Sequence, residues 1–272
     1  MVLVYAVLLG VIQGLTEFLP VSSSAHLILA RAFFGWDSDQ FGIAFDVACH
    51  VGTLIAVLVY FRAEILAMIR SVRNIGTLWS STPDPAAWMA LLIIIGTVPA
   101  VIVGVLFGKV IEEQLRTPQV AAVTLAVVAL GLFAVERYGA KRRTQASLGI
   151  VDAIVIGCAQ AAALVPGVSR SGSTITAAMA LGLRRDESAR FVFLLGVPAI
   201  LAAAAKEGLP FVKHGLPPGE SSVFAVGMMA SAVVGYFAVR FFIRYVSNHS
   251  LAVFAWYRLA LAAAVVVWWV AR

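Results

Sequence analysis

Residues 13–30 read QGLTEFLPVSSSAHLILA, and this stretch decides how the chain is built. It begins as an apolar run of the kind that opens a membrane-spanning helix. It then places a carboxylate, a proline, three serines and a histidine where lipid would be expected. Pro20 stops the helix, because proline cannot donate a backbone hydrogen bond and clashes with the preceding turn. Glu17 and His26, on either side of that break, therefore predict a polar site within apolar surroundings.

The composition is that of a polytopic membrane protein. Of the 272 residues, 61% are hydrophobic and 12% are charged, whereas soluble domains are about one quarter charged. We therefore expect a single all-α membrane domain over residues 1–272, in contact with membrane lipids. Despite the net charge of +6, we expect no nucleic-acid partner, because basic residues of membrane proteins concentrate in cytoplasmic loops and set the orientation.

Hydropathy predicts six membrane-spanning helices, at about 41–61, 88–108, 118–136, 188–205, 222–243 and 251–270. Two further apolar segments, about 2–34 and 150–183, are interrupted by Pro20 and by Pro166-Gly167. Serines follow directly after each interruption. The alternative is that 2–19 spans the membrane outright, which would give seven or eight crossings.

The two interrupted segments align when the chain is shifted against itself by 147 positions. The identical pairs include Gly10/Gly157, Gln13/Gln160, Val21/Val168, Ser22/Ser169, Ser24/Ser171, Gly35/Gly182 and Asp39/Asp186. This pattern predicts a repeat of about 1–137 and about 148–272, each unit a re-entrant broken helix pair plus three transmembrane helices. Three crossings per unit turn the second unit upside down, the inverted-topology plan of many transporters.

Charge predicts the orientation of this arrangement. One side carries twelve basic residues: Arg62, Arg70, Arg73, Arg137, Lys141, Arg142, Arg143, Arg184, Arg185, Arg190, Arg240 and Arg244. The other side carries six: Arg31, Lys109, Arg116, Lys206, Lys213 and Arg272. The richer side should be cytoplasmic, which places both termini and the mouth of the first broken segment outside.

The two breaks together predict a phosphate pocket. Residues 166–183 read PGVSRSGSTITAAMALGL, with Arg170 as the cation at the break. Helix N-termini with free N–H groups attract anions, and serines make good helix caps. The predicted phosphate ligands are Arg170, Ser22, Ser24, Ser169, Ser171, Ser173 and Thr174. The alternatives are structural: serines that pack between helices, His26 as a local cap, Arg170 as a tie to a carbonyl or to Glu17, and a protonated Glu17.

The charges at this pocket suggest a metal ion. Two helix ends contribute roughly half a charge each, Arg170 adds one and Glu17 removes one. A divalent cation would raise the sum to roughly three positive charges, which matches a diphosphate. Without it, Glu17 would repel the anion that the pocket attracts. We therefore expect Mg²⁺ or Ca²⁺ at Glu17.

The stretches QGLTEFLPVSS and PGVSRSGSTI resemble the two signature motifs of the undecaprenyl-pyrophosphate phosphatase family, the bacitracin-resistance type of membrane phosphatase, and FAWYRLALA (254–262) resembles that family's end. The resemblance implies hydrolysis of undecaprenyl diphosphate at the outer face of the bacterial inner membrane, which recycles the lipid carrier for peptidoglycan. It implies a metal-associated and catalytic motif at Gln13 and Glu17, a nucleophile or phosphate contact at Ser23, a catalytic histidine at His26 and an essential arginine at Arg170.

The sequence departs from the family pattern at two positions. Gln13 stands where many members have Glu, and Ala25 replaces a frequent Gly. A neutral Gln13 would be a weaker metal ligand.

Several alternatives stay open at this point. The nucleophile is either Ser23 or a water activated by Glu17 or His26. A transporter or flippase for an anion or a polyprenyl phosphate would also suit paired broken helices. Asp46 and His50 share a helix face and either line the same cavity or form a satisfied buried pair, and Arg258, near the start of the last span, has no assigned role. The chain is either a monomer or a homodimer.

Overall fold

The computed structural model describes residues 1–36, 41–80, 82–214 and 220–271, without the side chains of 207, 208 and 210–214. Asp39 and Arg272 lie outside these residues, as does the side chain of Lys213. The described chain contains helices and no β-strand, which confirms the all-α prediction. The α-helices are α1 (Val2–Thr16), α2 (Ser23–Phe34), α3 (Ile43–Tyr60), α4 (Arg62–Arg70), α5 (Pro85–Gln114), α6 (Pro118–Tyr138), α7 (Ile150–Ala162), α8 (Arg170–Ala180), α9 (Arg185–His214), α10 (Glu220–Asn248) and α11 (Ala252–Val270).

Six of these helices are long and apolar enough to cross a membrane: α3, α5, α6, α9, α10 and α11. They coincide with the six predicted spans, so the chain is a multi-pass membrane protein. In contrast, α1 has 15 residues and α7 has 13, and neither reaches the roughly 20 residues that a spanning helix needs. No single helix covers 2–19, so the structure favours the broken segment over a seventh crossing.

Local sequence explains where two of the spanning helices begin. Asp84 caps α5 and Thr117 caps α6, each accepting a hydrogen bond from a backbone N–H of the first turn. Pro85 and Pro118 follow at the first helical position, where the missing N–H costs nothing. The hydrogen bond from the Asn74 side chain, followed by those from the first-turn N–H groups, holds the pKa of the Asp84 carboxyl below its ordinary value.

The two breaks have the same local conformation. The caps of α2 and α8, Ser22 and Ser169, both have positive φ, 73° and 70°. Each accepts from the N–H three residues later, at 3.3 Å and 3.1 Å. Each also lies 3.2 Å from a second serine hydroxyl, that of Ser24 or Ser171. These pairs are the ones that the shift of 147 positions aligns; the repeat itself stays a prediction.

Contacts between helix ends show the direction in which each helix runs. Glu64, just after α3, pairs with Arg190 near the start of α9 at 3.4 Å. Glu136, near the end of α6, accepts from the N–H of Leu251 at the start of α11 at 2.8 Å. At the opposite end of the bundle, Lys206 pairs with Glu112 at 3.0 Å. Consequently α3 and α6 run toward the Arg190 end of the bundle, whereas α5, α9 and α11 run away from it.

Glycines let the short helices pack closely on the long ones. Gly10 of α1 faces the backbone of Gly227 in α10, and Gly157 of α7 faces the backbone of Gly96 in α5. A Cβ at Gly10 or Gly157 would collide with the facing carbonyl oxygen. Small residues at such crossings allow backbones to approach within a membrane, where packing drives association. Both breaks are thereby held between spanning helices.

Candidate functional site

The two breaks meet in the interior of the bundle. The Ser171 hydroxyl donates to the carbonyl of Leu19 at 2.9 Å, and the N–H of Gly167 donates to the Ser24 hydroxyl at 3.4 Å. Polar backbone that leaves a helix within a membrane needs protein partners, because lipid offers none. The first break therefore accepts hydrogen bonds from the second, and the side chains that follow the two breaks lie close together.

Arg258 is fully buried and connects the two breaks. Its guanidinium donates to Pro20 in the first break at 3.1 Å and to Gly167 in the second at 2.9 Å. It also donates to Val168, Thr124 and Leu125. Every acceptor is a backbone carbonyl. The sequence marked Arg258 as unusual without assigning it this structural role.

Glu17 is the centre of the polar network. Its Oε2 accepts from the Ser23 hydroxyl at 2.7 Å and from the Gln13 amide at 2.9 Å. Its Oε1 accepts from Nη2 of Arg170 at 2.8 Å. Glu17 is buried, and a buried carboxylate is tolerated when it is paired and hydrogen-bonded. Four of the predicted site residues are thus in direct contact.

His50 belongs to the same network. Its Nδ1 lies 2.9 Å from the Gln13 amide nitrogen and 3.3 Å from Oε2 of Glu17. The sequence placed Asp46 and His50 on one helix face near the cavity, and the structure separates their roles. Asp46 forms ion pairs with Arg31 and Arg116. The helical spacing of Asp46 and His50 predicted their shared face, but it did not predict which of the two residues contacts Glu17.

One buried nitrogen of Arg170 has no hydrogen-bond partner among the described residues. Nη2 binds Glu17, whereas Nη1 is buried and unpaired. The guanidinium packs against Gly196 of α9 so closely that a Cβ there would collide with it. A buried N–H donor without an acceptor is costly, so the free Nη1 indicates a place for a ligand oxygen.

These groups line a cavity of about 250 Å³. Small apolar residues of α5 and α9, among them Ala100, Ala199 and Ala203, form one wall. The Oε1 atom of Gln160, at the position that matches Gln13, is buried and unpaired. The polar lining consists of Glu17, Ser22, Ser23, Ser24, His50, Arg116, Gln160, Ser169 and Arg170.

Five predicted residues do not line this cavity: Gln13, His26, Ser171, Ser173 and Thr174. The hydroxyls of Ser171, Ser173 and Thr174 donate to the backbone carbonyls of Leu19, Ala159 and Arg170, respectively. His26 lies 2.7 Å from the carbonyl of Ser22 through Nδ1 and 2.7 Å from the Tyr257 hydroxyl through Nε2. Its ring stacks on that of Tyr257. Helix hydroxyls commonly turn to the carbonyl of the preceding turn.

The residues around Glu17 fit a hard divalent cation. Among the described residues, no group of three or more His, Cys, Asp or Glu is placed to hold a metal by itself. However, Gln13 donates its amide N–H to the Glu17 carboxylate, and its own Oε1 is buried without a partner among the described residues. Mg²⁺ binds through one or two carboxylates plus substrate phosphates and water, and Ca²⁺ also accepts amide oxygens. The donor set therefore suits a cation that takes its remaining ligands from a phosphate.

Comparison with known proteins gives matches over nearly the whole chain. The family described as "Bacitracin resistance protein BacA" matches residues 6–264. An "Undecaprenyl-diphosphatase" of Rubrobacter xylanophilus is 48% identical over 263 residues, 97% of each chain. Proteins with the same name from Trichlorobacter lovleyi (43% identical, 95% of this chain and 94% of the relative) and Moorella thermoacetica (41% identical, 100% of each chain) are also similar.

Gly196→Ala tests whether α9 fixes Arg170. The added methyl group should push the guanidinium away from Glu17, and a displacement of about 1 Å can cost on the order of a hundredfold in rate. We expect phosphate release from a polyprenyl diphosphate, the activity that the sequence resemblance implies, to fall at least tenfold in turnover. Gly104→Ala in α5 is the matched control, because its Cβ would meet only Leu164 at 3.7 Å. Equal activity of the two variants would contradict this role of Gly196.

Proposed function

Because the chain belongs to the bacitracin resistance protein BacA family, we propose that it hydrolyses undecaprenyl diphosphate to undecaprenyl phosphate and inorganic phosphate. This reaction recycles the lipid carrier for peptidoglycan and other cell-wall polymers, and it would account for bacitracin resistance. The names of the full-length relatives support an enzyme. They do not support the alternative of a transporter or flippase.

One observation carries the proposal on the structural side. A serine hydroxyl and an arginine, each at the start of a half-helix, bind opposite oxygens of the same buried carboxylate. The arginine retains a free N–H group, and two capped helix N-termini line the cavity. This combination offers a nucleophile, a proton acceptor and positive charge for a phosphoryl group.

The hydrogen bond from Ser23 to Glu17 supports Ser23 as the nucleophile. In the proposed first step Ser23 Oγ attacks the terminal phosphorus, its proton passes to Glu17, and the bond to the bridging oxygen breaks. The leaving group is undecaprenyl phosphate. Water then attacks the phosphoserine ester, the bond to Ser23 Oγ breaks, Ser23 recovers a proton and inorganic phosphate leaves, and Glu17 gives its proton to solvent. His26, turned toward Ser22 and Tyr257, would support the local geometry of Ser23 in this scheme rather than accept its proton.

Arg170 is proposed to hold the terminal phosphate. Its Nη2 is occupied by Glu17, so the free Nη1 would donate to a phosphate oxygen. The same guanidinium thus orients the base and the phosphorus relative to each other. Since phosphoryl transfer depends largely on positioning and charge stabilisation, this double contact is the main contribution of the second break.

A divalent cation, Mg²⁺ or Ca²⁺, is proposed at Glu17 and Gln13. When bound, it would neutralise charge on the diphosphate and polarise the phosphoryl group. Gln13 would present Oε1 to it, because the Gln13 amide nitrogen already faces both Glu17 and His50. His50 thereby fixes which end of the amide points toward the ligand.

The proposed location is the bacterial inner membrane, with the cavity open to the outer, periplasmic face. Arg190 and Arg185 lie at one end of the bundle with most of the chain's basic residues. Lys206 lies at the other end, with Arg116, which also lines the cavity. Under the positive-inside rule the richer end is cytoplasmic. The lipid tail would remain between helices.

The proposed function is tested with the purified protein in detergent and undecaprenyl diphosphate as substrate. We expect release of one inorganic phosphate per substrate, together with undecaprenyl phosphate identified by mass spectrometry. A transporter would release no phosphate under these conditions. Detergent-soluble, folded protein without phosphate release in the presence of Mg²⁺ or Ca²⁺ would refute the enzymatic proposal.

Arg170→Lys should fold and insert normally but lose on the order of a hundredfold or more in turnover. Lysine keeps the charge but is a point cation on a flexible stem, so it cannot bind Glu17 and a phosphate with fixed geometry. The loss corresponds to about 3 kcal/mol, the scale of one preorganised charge-stabilising contact. It should appear in kcat more than in KM. Arg184→Lys, at an exposed pair with Asp186, is the control. A turnover of Arg170→Lys within threefold of wild type would show that Arg170 acts only as a counter-ion.

Glu17→Gln should abolish activity more completely than Gln13→Ala, because only Glu17 brings negative charge to a cation. EDTA should stop the wild-type enzyme, and Mg²⁺ or Ca²⁺ should restore it. A ligand that binds the folded state raises the unfolding temperature, so the same cations should stabilise the wild type and not Glu17→Gln. Glu112→Gln, at a partly exposed pair with Lys206, is the matched control. Full turnover in excess EDTA would remove the metal from the proposal.

A further inference from the structure

A second arginine lines the same cavity as Arg170. Arg116 follows the end of α5, and its guanidinium forms an ion pair with Asp46 in the first turn of α3. One quarter of the Arg116 side chain is exposed, compared with 17% for Arg170. Arg170 begins a half-helix in the interior, whereas Arg116 lies beyond the end of a spanning helix. We call the Arg116 side of the cavity its rim, because Arg116 is the more exposed of these two arginines.

Among the described residues, the ion pairs at the rim leave a net positive charge. Asp46 accepts from Arg31 as well as from Arg116, so one carboxylate serves two guanidinium groups. The three side chains together carry a net charge of +1. Arg31 also has a buried Nε without a partner. Asp46 therefore fixes the position of Arg116 while Arg31 offsets the charge of Asp46, which leaves Arg116 able to attract a second anion.

The substrate that we propose carries two phosphates, and the cavity has two arginines. We infer that Arg116 binds the phosphate attached to the lipid, while Arg170 holds the terminal phosphate that is transferred. This inference rests on the proposed function and extends it to substrate selection. Guanidinium groups suit phosphate oxygens because their donors form a planar fork. Arg116 would act as a specificity-determining residue, contacting the phosphate that stays in the product and not the phosphate that leaves.

This assignment has a kinetic signature. A contact with the lipid-linked phosphate is present in the substrate, in the transition state and in undecaprenyl phosphate. Loss of a contact that is equally strong in ground and transition states raises KM and leaves kcat unchanged. It should also weaken inhibition by the product, because the product keeps that phosphate. A residue that only ties α3 to α5 would instead change stability or kcat.

The test compares Arg116→Gln with wild type in phosphate release from undecaprenyl diphosphate, with undecaprenyl phosphate as the inhibitor. We expect KM to rise tenfold or more, kcat to stay within threefold, and the product inhibition constant to rise by a similar factor. Lys109→Gln, which removes an exposed cation from the last turns of the same helix, should change none of the three. Arg116→Lys keeps the charge and the Asp46 partner, so it should give an intermediate KM.

The outcomes separate this inference from the proposed function. No phosphate release by the wild type would refute the function. Normal wild-type release with an unchanged KM and unchanged product inhibition in Arg116→Gln would overturn only the role of Arg116. A fall in kcat at constant KM would also overturn it, in favour of a structural tie. If Arg116→Gln does not fold, Arg116→Lys decides, because wild-type KM and product inhibition in that variant would leave no role for the planar fork.

Discussion

The buried guanidinium of Arg258 is the interaction on which the site depends. A helix that is interrupted inside a membrane leaves carbonyl groups without hydrogen-bond donors, and lipid cannot replace them. Arg258 supplies donors to the first break at Pro20 and to the second at Gly167 and Val168. An arginine presents five N–H groups in a rigid plane, so one side chain can bind both breaks at once. The polar backbone is thereby stable at a depth where only regular helices would otherwise persist.

The pairing of Glu17 with Arg170 follows from the same constraint. A carboxylate inside the membrane needs donors, and Glu17 finds them in Ser23, Gln13 and Arg170. These contacts occupy both oxygens of Glu17, but only one terminal nitrogen of Arg170. The buried Nη1 of Arg170 and the buried Oε1 of Gln13 keep unused hydrogen-bonding capacity among the described residues. In the proposed function, a phosphate oxygen would accept from Nη1 of Arg170, and Oε1 of Gln13 would face the cation.

The sequence predicted the elements better than the contacts between them. Hydropathy located six helices, and Pro20 located the first break, because both signals are local. The contact between Arg170 and Glu17 spans 153 residues, and the sequence offered it only as the structural alternative to a phosphate ligand. The hydroxyl of Thr174 was expected at the phosphate, yet it donates to the carbonyl of Arg170. A hydroxyl in a first turn can face a ligand or its own backbone, and composition does not distinguish these orientations. The rim arginine, Arg116, carried no signal beyond its charge.

The two breaks differ at one aligned position that matters for chemistry. At a shift of 147 residues Ser22 and Ser169 match, and both cap a half-helix with the same backbone conformation. The next residue is the first of each half-helix, and there the chain has Ser23 in one half and Arg170 in the other. Equivalent positions thus present a hydroxyl and a guanidinium to opposite oxygens of Glu17. A transport site needs only that both halves bind the cargo. In the function that we propose, this difference between the halves would place a nucleophile opposite a cation, with a shared carboxylate between them, as the transfer of a phosphoryl group requires.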